Sequence, residues 1–259
     1  MIRWRRVLAV TGALLLTPLG TTHATDCPSP RLLTWAVGEE RPLPAHVFTQ
    51  GFEIADGRWW LSSGGYGQSE WLRGPADDIR SIFAFPRQRF AEGLSLNGDQ
   101  LWVLSWRAGE AWVFDRHSGA HQTTHQFSGE GWGLAWFAER DRFLMSDGTA
   151  SLTWRDAADF RDQGRITVRL GAKPLPRLNE LERVGEAVFA NVWLTEQVVR
   201  IDVETGCVTG LLDLRTLWPA SQRPPRSDVL NGLAWDAGRE QLWVTGKRWG
   251  RAFALTITD

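Results

Sequence analysis

Gln50-Gly51-Phe52, Glu92-Gly93-Leu94, Trp132-Gly133-Leu134, Asn179-Glu180-Leu181 and Asn231-Gly232-Leu233 repeat one short phrase, a polar or aromatic residue, a small or acidic residue and an apolar residue. About ten residues after each phrase comes an apolar run: Arg58 to Ser62, Gln100 to Trp106, Arg142 to Ser146, Ala187 to Trp193 and Gln241 to Thr245. The phrases begin at 50, 92, 132, 179 and 231, so the repeats measure 42, 40, 47 and 52 residues. Repeats of roughly 40 to 50 residues, each built of short strands, are the period of a propeller blade. The chain therefore reads as all-β, a five-bladed β-propeller. In such a ring the innermost strands present equivalent residues to a central channel. Gln50, Glu92, Trp132, Asn179 and Asn231 are expected to face one another across it. One carboxylate among amides and an indole makes a poor core, because buried amides and charges need partners, but a good binding site.

Residues 1–24 are expected to be a signal peptide rather than part of the ring. Met1 to Arg6 carries three arginines and no acid, Val7 to Leu19 is apolar, and Thr22-His23-Ala24 offers small residues before Thr25. The apolar stretch is short for a bilayer, which takes about 20 residues to span. The Arg5-Arg6 pair lacks the surroundings of a twin-arginine signal, and Asp26 stands before Cys27 where a lipoprotein would carry a small residue. The expectation is one propeller domain over 25–259, exported to the periplasm or secreted. Loss of Arg3, Arg5 and Arg6 takes the formal net charge from −1 to −4, which leaves no basic footprint for nucleic acid or an anionic membrane. Cys27 and Cys207 are the chain's two cysteines. In an oxidising compartment they either pair or stay as two thiols, and spacing does not decide between these.

Helix signals are sparse, with a short helical insertion expected at Asp156 to Asp162 or a turn near Leu214 to Ala220. Asp115-Arg116-His117-Ser118-Gly119 and Asp202-Val203-Glu204-Thr205-Gly206 read as equivalent tight turns after an outer strand. Arg31 to Val37 precedes the first repeat and suits a strand that closes the ring on the last blade. Pro219 to Pro225 reads as a surface loop between the fourth and fifth repeats. His117, His121 and His125 fall four apart, but Ser118-Gly119 breaks the helix that would bring them onto one metal-binding face.

Longer segments around the phrases carry a resemblance. Phe48-Thr49-Gln50-Gly51, Glu92-Gly93-Leu94 with Leu104-Ser105-Trp106, Glu130-Gly131-Trp132-Gly133-Leu134 with Ser146-Asp147-Gly148, Asn179-Glu180-Leu181-Glu182 with Asn191-Val192-Trp193, and Leu230-Asn231-Gly232 with Thr245-Gly246-Lys247 occur in this order. Together the chain resembles the plant and bacterial type of glutaminyl-peptide cyclotransferase. The resemblance implies an acyltransferase that cyclises the N-terminal glutamine of peptides or proteins to pyroglutamate and releases ammonia. It implies Glu92, Lys247 and Asn179 as catalytic residues and Gln50, Trp106, Trp132 and Trp193 as substrate-binding residues. It implies no cofactor for catalysis and a structural metal, often calcium, in the channel, with ligands that sequence does not assign. Three positions depart from the family pattern: Pro42-Leu43-Pro44 in place of Pro-His-Asp, Arg183 in place of a Tyr, and Gly250 in place of a Pro.

The chemistry asks for residues of these kinds. Cyclisation needs a neutral α-amine, a polarised carboxamide and a proton for the leaving ammonia. Glu92 in a partly desolvated channel is suited to carry that proton; the plainer alternative is a salt-bridged surface Glu. Asn179 and Gln50 offer amides to the substrate, and Lys247, one of only two lysines beside Lys173, suits a developing oxyanion. Trp59, Trp60, Trp102, Trp112, Trp154, Trp235 and Trp243 lie at strand positions and are assigned to packing between blades. Trp106, Trp132 and Trp193 lie at repeat heads or strand ends, where an indole walls a pocket. Partners are then peptides with N-terminal glutamine, and a closed ring with few free edges favours a monomer. Two other readings remain: a propeller that only binds peptide N-termini, and a metal-dependent lactonase or esterase, which would need more channel acids.

Overall fold

The computed structural model describes Met1 and residues 26–259, so the expected signal peptide at 1–24 lies outside the described residues apart from Met1. Two strands, β1 (Arg31–Leu32) and β2 (Thr34–Pro42), precede the first blade. Blade 1 holds β3 (Thr49–Ala55), β4 (Arg58–Ser63), β5 (Glu70–Gly74) and β6 (Arg80–Ala84). Blade 2 holds β7 (Ala91–Asn97), β8 (Gln100–Ser105), β9 (Glu110–Asp115) and β10 (His121–Gln126). Blade 3 holds β11 (Leu134–Phe137), β12 (Arg142–Ser146), β13 (Ser151–Asp156) and β14 (Asp162–Thr167), and a small hairpin of β15 (Arg169–Leu170) and β16 (Lys173–Pro174) follows it. Blade 4 holds β17 (Leu178–Val184), β18 (Ala187–Val192), β19 (Gln197–Asp202) and β20 (Val208–Asp213); blade 5 holds β21 (Leu230–Asp236), β22 (Gln241–Gly246) and β23 (Arg251–Thr258). Each blade is an antiparallel meander, and together they form the expected five-bladed propeller. The second strands begin where the apolar runs were read and end within a residue of them.

Five apolar clusters stand at the five junctions between neighbouring blades. Trp60 and Trp71 fill the junction of blades 1 and 2, Trp102 that of 2 and 3, Trp154 that of 3 and 4, Trp218 and Trp249 that of 4 and 5, and Trp59 with Trp243 that of 5 and 1. Trp59 and Trp60 serve opposite junctions because consecutive strand residues face opposite sides of a sheet. The tryptophans assigned to packing are buried, except Trp235, which is half-buried against the cluster of blades 4 and 5.

An N-terminal strand closes the ring, with a longer span than expected. β2 pairs antiparallel with β23 from Thr34 opposite Thr258 to Pro42 opposite Arg251. The segment starting at Arg31 instead divides, because β1 pairs in parallel with β20 and adds a fifth strand to blade 4. Cys27 and Cys207 form a disulfide, with Cα atoms 5.4 Å apart, which pins the chain before β1 to the turn before β20.

The helical insertion expected at Asp156 to Asp162 is a tight turn. Asp156 Oδ1 accepts the Ala158 N–H at 2.9 Å, its carbonyl accepts the Phe160 N–H at 3.0 Å, and Phe160 then takes φ 63° and buries its ring. A side chain that captures the backbone in this way ends a helix before a second turn forms. The turns at Asp115 and Asp202 follow the same plan. Each aspartate Oδ1 accepts two following N–H groups, and Gly119 and Gly206 supply the left-handed residue at φ 78° and 72°. The prolines at 219–225 lie between β20 and β21 as expected, around a 3-10 turn at Ala220–Gln222. His117 sits in its turn beside Asp99, while His121 and His125 lie on the strand that follows, with His125 stacked on Trp102.

Candidate active site

Four of the five inner strands start with a defect at one position, while β11 pairs in unbroken register. Pairing with the second strand slips between Thr49 and Gly51, Ala91 and Leu94, Leu178 and Leu181, and Leu230 and Leu233. A bulge of this kind re-aims the extra side chain, and it falls on Gln50, Glu92, Asn179 and Asn231. The residue after three of the heads, Gln50, Glu92 and Trp132, has no room for a side chain. A Cβ on Gly51 would sit 2.4 Å from Leu94 N, on Gly93 2.6 Å from Trp132 O, and on Gly133 2.2 Å from Asn179 O. Inner strands of adjacent blades thus touch backbone to backbone around the channel.

Blade 4 carries Glu180 at that place, and its side chain crosses the channel. The two carboxylate oxygens accept the Phe52 N–H at 3.3 Å and the Leu233 N–H at 2.8 Å, tying blade 4 to blades 1 and 5. Glu182 accepts the Trp235 N–H at 2.6 Å, and Glu53 accepts the Leu96 N–H at 2.8 Å, in the same manner. Desolvation and mutual repulsion push Glu180 and Glu182 well above the ordinary carboxylate range, and burial takes Glu53 to about 7. Their oxygens are of the hard kind calcium takes. No three acidic, histidine or cysteine side chains gather about one point among the described residues.

Above this layer opens a cleft of about 620 Å³, lined by Phe48, Gln50, Phe90, Glu92, Trp106, Arg107, Trp132, Asn179, Trp193, Leu194, Asp228 and Lys247. Gln50, Glu92, Trp106, Trp132, Asn179, Trp193 and Lys247, the seven residues singled out from the sequence, all border it. Asn231 does not. It lies fully buried behind Gln50, where its amide donates to the carbonyls of Thr49 at 3.0 Å and Gln50 at 3.3 Å and to Gln50 Oε1 at 3.4 Å. Gln50 Nε2 in turn donates to Glu92 Oε1 at 3.1 Å.

Burial pushes Glu92 up to about 8; Lys247 pulls it down and Glu130 adds to the rise. Lys247 is itself held below the usual lysine range by burial, against the attraction of Glu92 and Asp228. Its Nζ stands 4.9 Å from the centre of the Phe48 ring. A neutral acid and an amine of weakened basicity thus share one desolvated space, as proton-transfer chemistry near neutral pH requires. Trp132 meets Trp193 edge to face at 5.4 Å. Gly148, at φ 80°, leaves room for the Trp132 ring, since a Cβ there would sit 2.7 Å from it. Second-strand polar residues seat the heads: Ser62 Oγ donates to the Glu92 carbonyl at 2.5 Å and Ser146 Oγ to the Asn179 carbonyl at 2.6 Å.

Sequence reading left out Phe48, Phe90, Arg107, Leu194 and Asp228 from the cleft. A signal for two of them existed, because Phe48 and Phe90 lie two residues before the heads Gln50 and Glu92, on the same side of an extended chain. Glu130 holds the same offset before Trp132. The departures from the family pattern lie away from the cleft. Leu43 N–H donates to the Gly250 carbonyl at 3.0 Å, and Gly250 has φ 71°, which proline cannot adopt. Arg183 pairs with Glu139 at 2.8 Å.

Residues 9–257 match the family described as glutamine cyclotransferase. The chain belongs to the glutamine cyclotransferase family. It is 30% identical over 227 residues to the glutaminyl-peptide cyclotransferase of Arabidopsis thaliana, covering 84% of this chain and 69% of that protein. The crystal structure of Myxococcus xanthus glutaminyl cyclase superposes with a TM-score of 0.80 at 29% identity, over 89% of this chain and all of the other. A Bacteroides thetaiotaomicron protein of unknown function shares the fold alone, with a TM-score of 0.52 at 9% identity over 86% of this chain and 76% of its own.

Proposed function

We propose that the cleft cyclises the N-terminal glutamine of peptides and proteins to pyroglutamate with release of ammonia, and that Glu92 shuttles the proton. The convergence of all seven residues on one cleft around a buried Glu92 carries this reading. Membership of the family supports it. The substrate's α-ammonium titrates at about 7.7–8.0 and Glu92 at about 8, so the ammonium passes its proton to the Glu92 carboxylate at little cost. The freed amine nitrogen attacks Cδ of its own side chain, and the C=O electron pair moves onto oxygen. Lys247 and the Asn179 amide are suited to that oxyanion. Glu92 gives its proton to the departing nitrogen and takes one from the ring nitrogen; the C–N bond breaks, and ammonia and the lactam result. Trp106, Trp132 and Trp193 wall off water and hold the glutamine stem, while Gln50 orients Glu92.

The deciding measurement is ammonia release from a glutamine dipeptide by the mature protein beside Glu92→Gln. A loss of at least about 100-fold in kcat is expected, the usual worth of a general acid–base group. Peptide affinity without release from the folded wild type would instead make the cleft a binding site.

Export follows from the same reading and is supported by the Cys27–Cys207 bridge, since disulfides persist in oxidising compartments. Among the described residues no helix is long and apolar enough to cross a membrane. Closure of the ring by β2 favours a monomer. A precursor that stays in the cytosol, or a mature chain that sediments as a dimer, would contradict these two points.

A further inference from the structure

Glu130 does not border the cleft, yet it touches three of the residues that do. A single oxygen, Oε2, accepts from Trp106 Nε1 at 2.8 Å and from Trp132 Nε1 at 2.9 Å, while Oε1 accepts from Arg107 Nε at 3.0 Å. Arg107 also lies over the Trp106 ring, 3.8 Å from its centre. Trp106 follows the second strand of blade 2, and Trp132 heads blade 3. One carboxylate therefore sets the orientation of two indoles from different blades, and through Trp132 that of Trp193. We propose that Glu130 is a positioning residue of the reaction, locking both indole walls through an anion that never reacts and placing a permanent negative charge beside Glu92. The inference rests on the function proposed above and assigns a role to a residue outside the reacting groups.

The two acids have opposite surroundings. Burial pushes the Glu130 carboxyl up, but donors from Trp132, Trp106 and Arg107 together outweigh it and leave it below the ordinary range, so it stays ionised. Glu92 receives one neutral donor, Gln50 Nε2, with Lys247 attracting its charged form and Glu130 repelling it. Asp228 acts on this set only through Lys247, and Arg107 is engaged by Glu130. A pair of carboxyls held in opposite states is the pattern by which one site keeps a proton ready at neutral pH. Here the fixed anion doubles as the clamp for the aromatic walls.

The test follows the Glu92 carboxyl by carbon NMR in resting protein labelled at glutamate, assigned with Glu92→Gln, in wild type, Glu130→Gln and Glu130→Asp. Loss of the charge in Glu130→Gln is expected to move the Glu92 midpoint to lower pH, and Glu130→Asp to keep it near the wild-type value. With a glutamine dipeptide, Glu130→Ala is expected to raise KM about tenfold, as expected for a lost charge-assisted hydrogen bond. Glu130→Asp, too short to reach both indoles, keeps most of that rise. An unmoved Glu92 midpoint in Glu130→Gln, or an unchanged KM in Glu130→Ala, overturns the proposal. Absence of ammonia release from the wild type would fall on the functional reading instead, and the NMR comparison would still decide the role of Glu130.

Discussion

Glu92 is the residue at which position, burial and charge meet. Its head position comes from the repeat, its buried environment from Gly93 and the bulge, and its bias from Lys247 and Glu130. On the proposed mechanism the reactive state of enzyme and substrate holds one proton between two groups that both titrate near 8. Below that pH both are protonated and the amine cannot attack; above it both are deprotonated and nothing protonates the leaving nitrogen. The expected profile of kcat/KM is a narrow bell with its maximum near pH 8. A rate that stays flat from pH 6 to 10 would remove Glu92 from the proton path. In Glu92→Gln the residual rate should follow the substrate amine alone, rising through its pKa to a plateau. What could be read at this scale from sequence was the set of seven residues that border the cleft, since heads and second-strand ends recur at a fixed place in each repeat. The partners that tune them were harder to read. Asn231 looked equivalent to Gln50, and only the structure shows its amide turned onto the neighbouring head.

The inner strand is the element that converts repeat into site. Four of the five bulge at their first residues, and at Gly51, Gly93 and Gly133 the strand passes its neighbour at backbone distance, which admits only glycine after the head. In Gly133→Ala the new methyl would meet the Asn179 carbonyl, Glu180 Cα and Leu181 N, all of them backbone. No rotamer change relieves such a contact. Thermal or urea melts should show a loss of about 1–3 kcal/mol, the range for overpacking, and the displaced Asn179 should lower activity as well. A melt unchanged from wild type would mean that the blades can slide apart at no cost. The strands themselves were legible as short apolar runs bounded by turn residues, and the five second strands lie where those runs were read. The segment at Asp156 was misread because its local sequence starts a helix well enough; the Asp156 side chain and the buried Phe160 decide otherwise. Equally hidden were β1 and the length of β2, since their partners β20 and β23 are far away in the chain.

Across the whole molecule the inner strands carry a layer of carboxylates that bridge neighbouring blades, Glu180 buried and Glu53 and Glu182 half-buried. Glu53 has a folded pKa of about 7, above the unfolded value of about 4.3, and Glu180 and Glu182 are raised further in the same direction. For a group raised in this way, stability is fully present below the unfolded pKa and is lost as pH climbs through the folded one. Tm should therefore fall between about pH 5 and 8, and Glu53→Gln should flatten that decline; a Tm that rises across this interval would contradict the assignment. The cleft thus works best near the pH at which the layer beneath it weakens. Ring closure joins Thr34 to Thr258, the start of the described chain to its last residues, and this bears on biosynthesis. A growing chain can finish blades 1 to 4 in sequence. The fifth stays open until β23 is made, and only then does β2 gain its partner and stop being a loose end. The most hazardous stage for this protein is therefore the one before β23 is in place, when a nearly finished ring still offers a strand-shaped gap to any neighbouring chain.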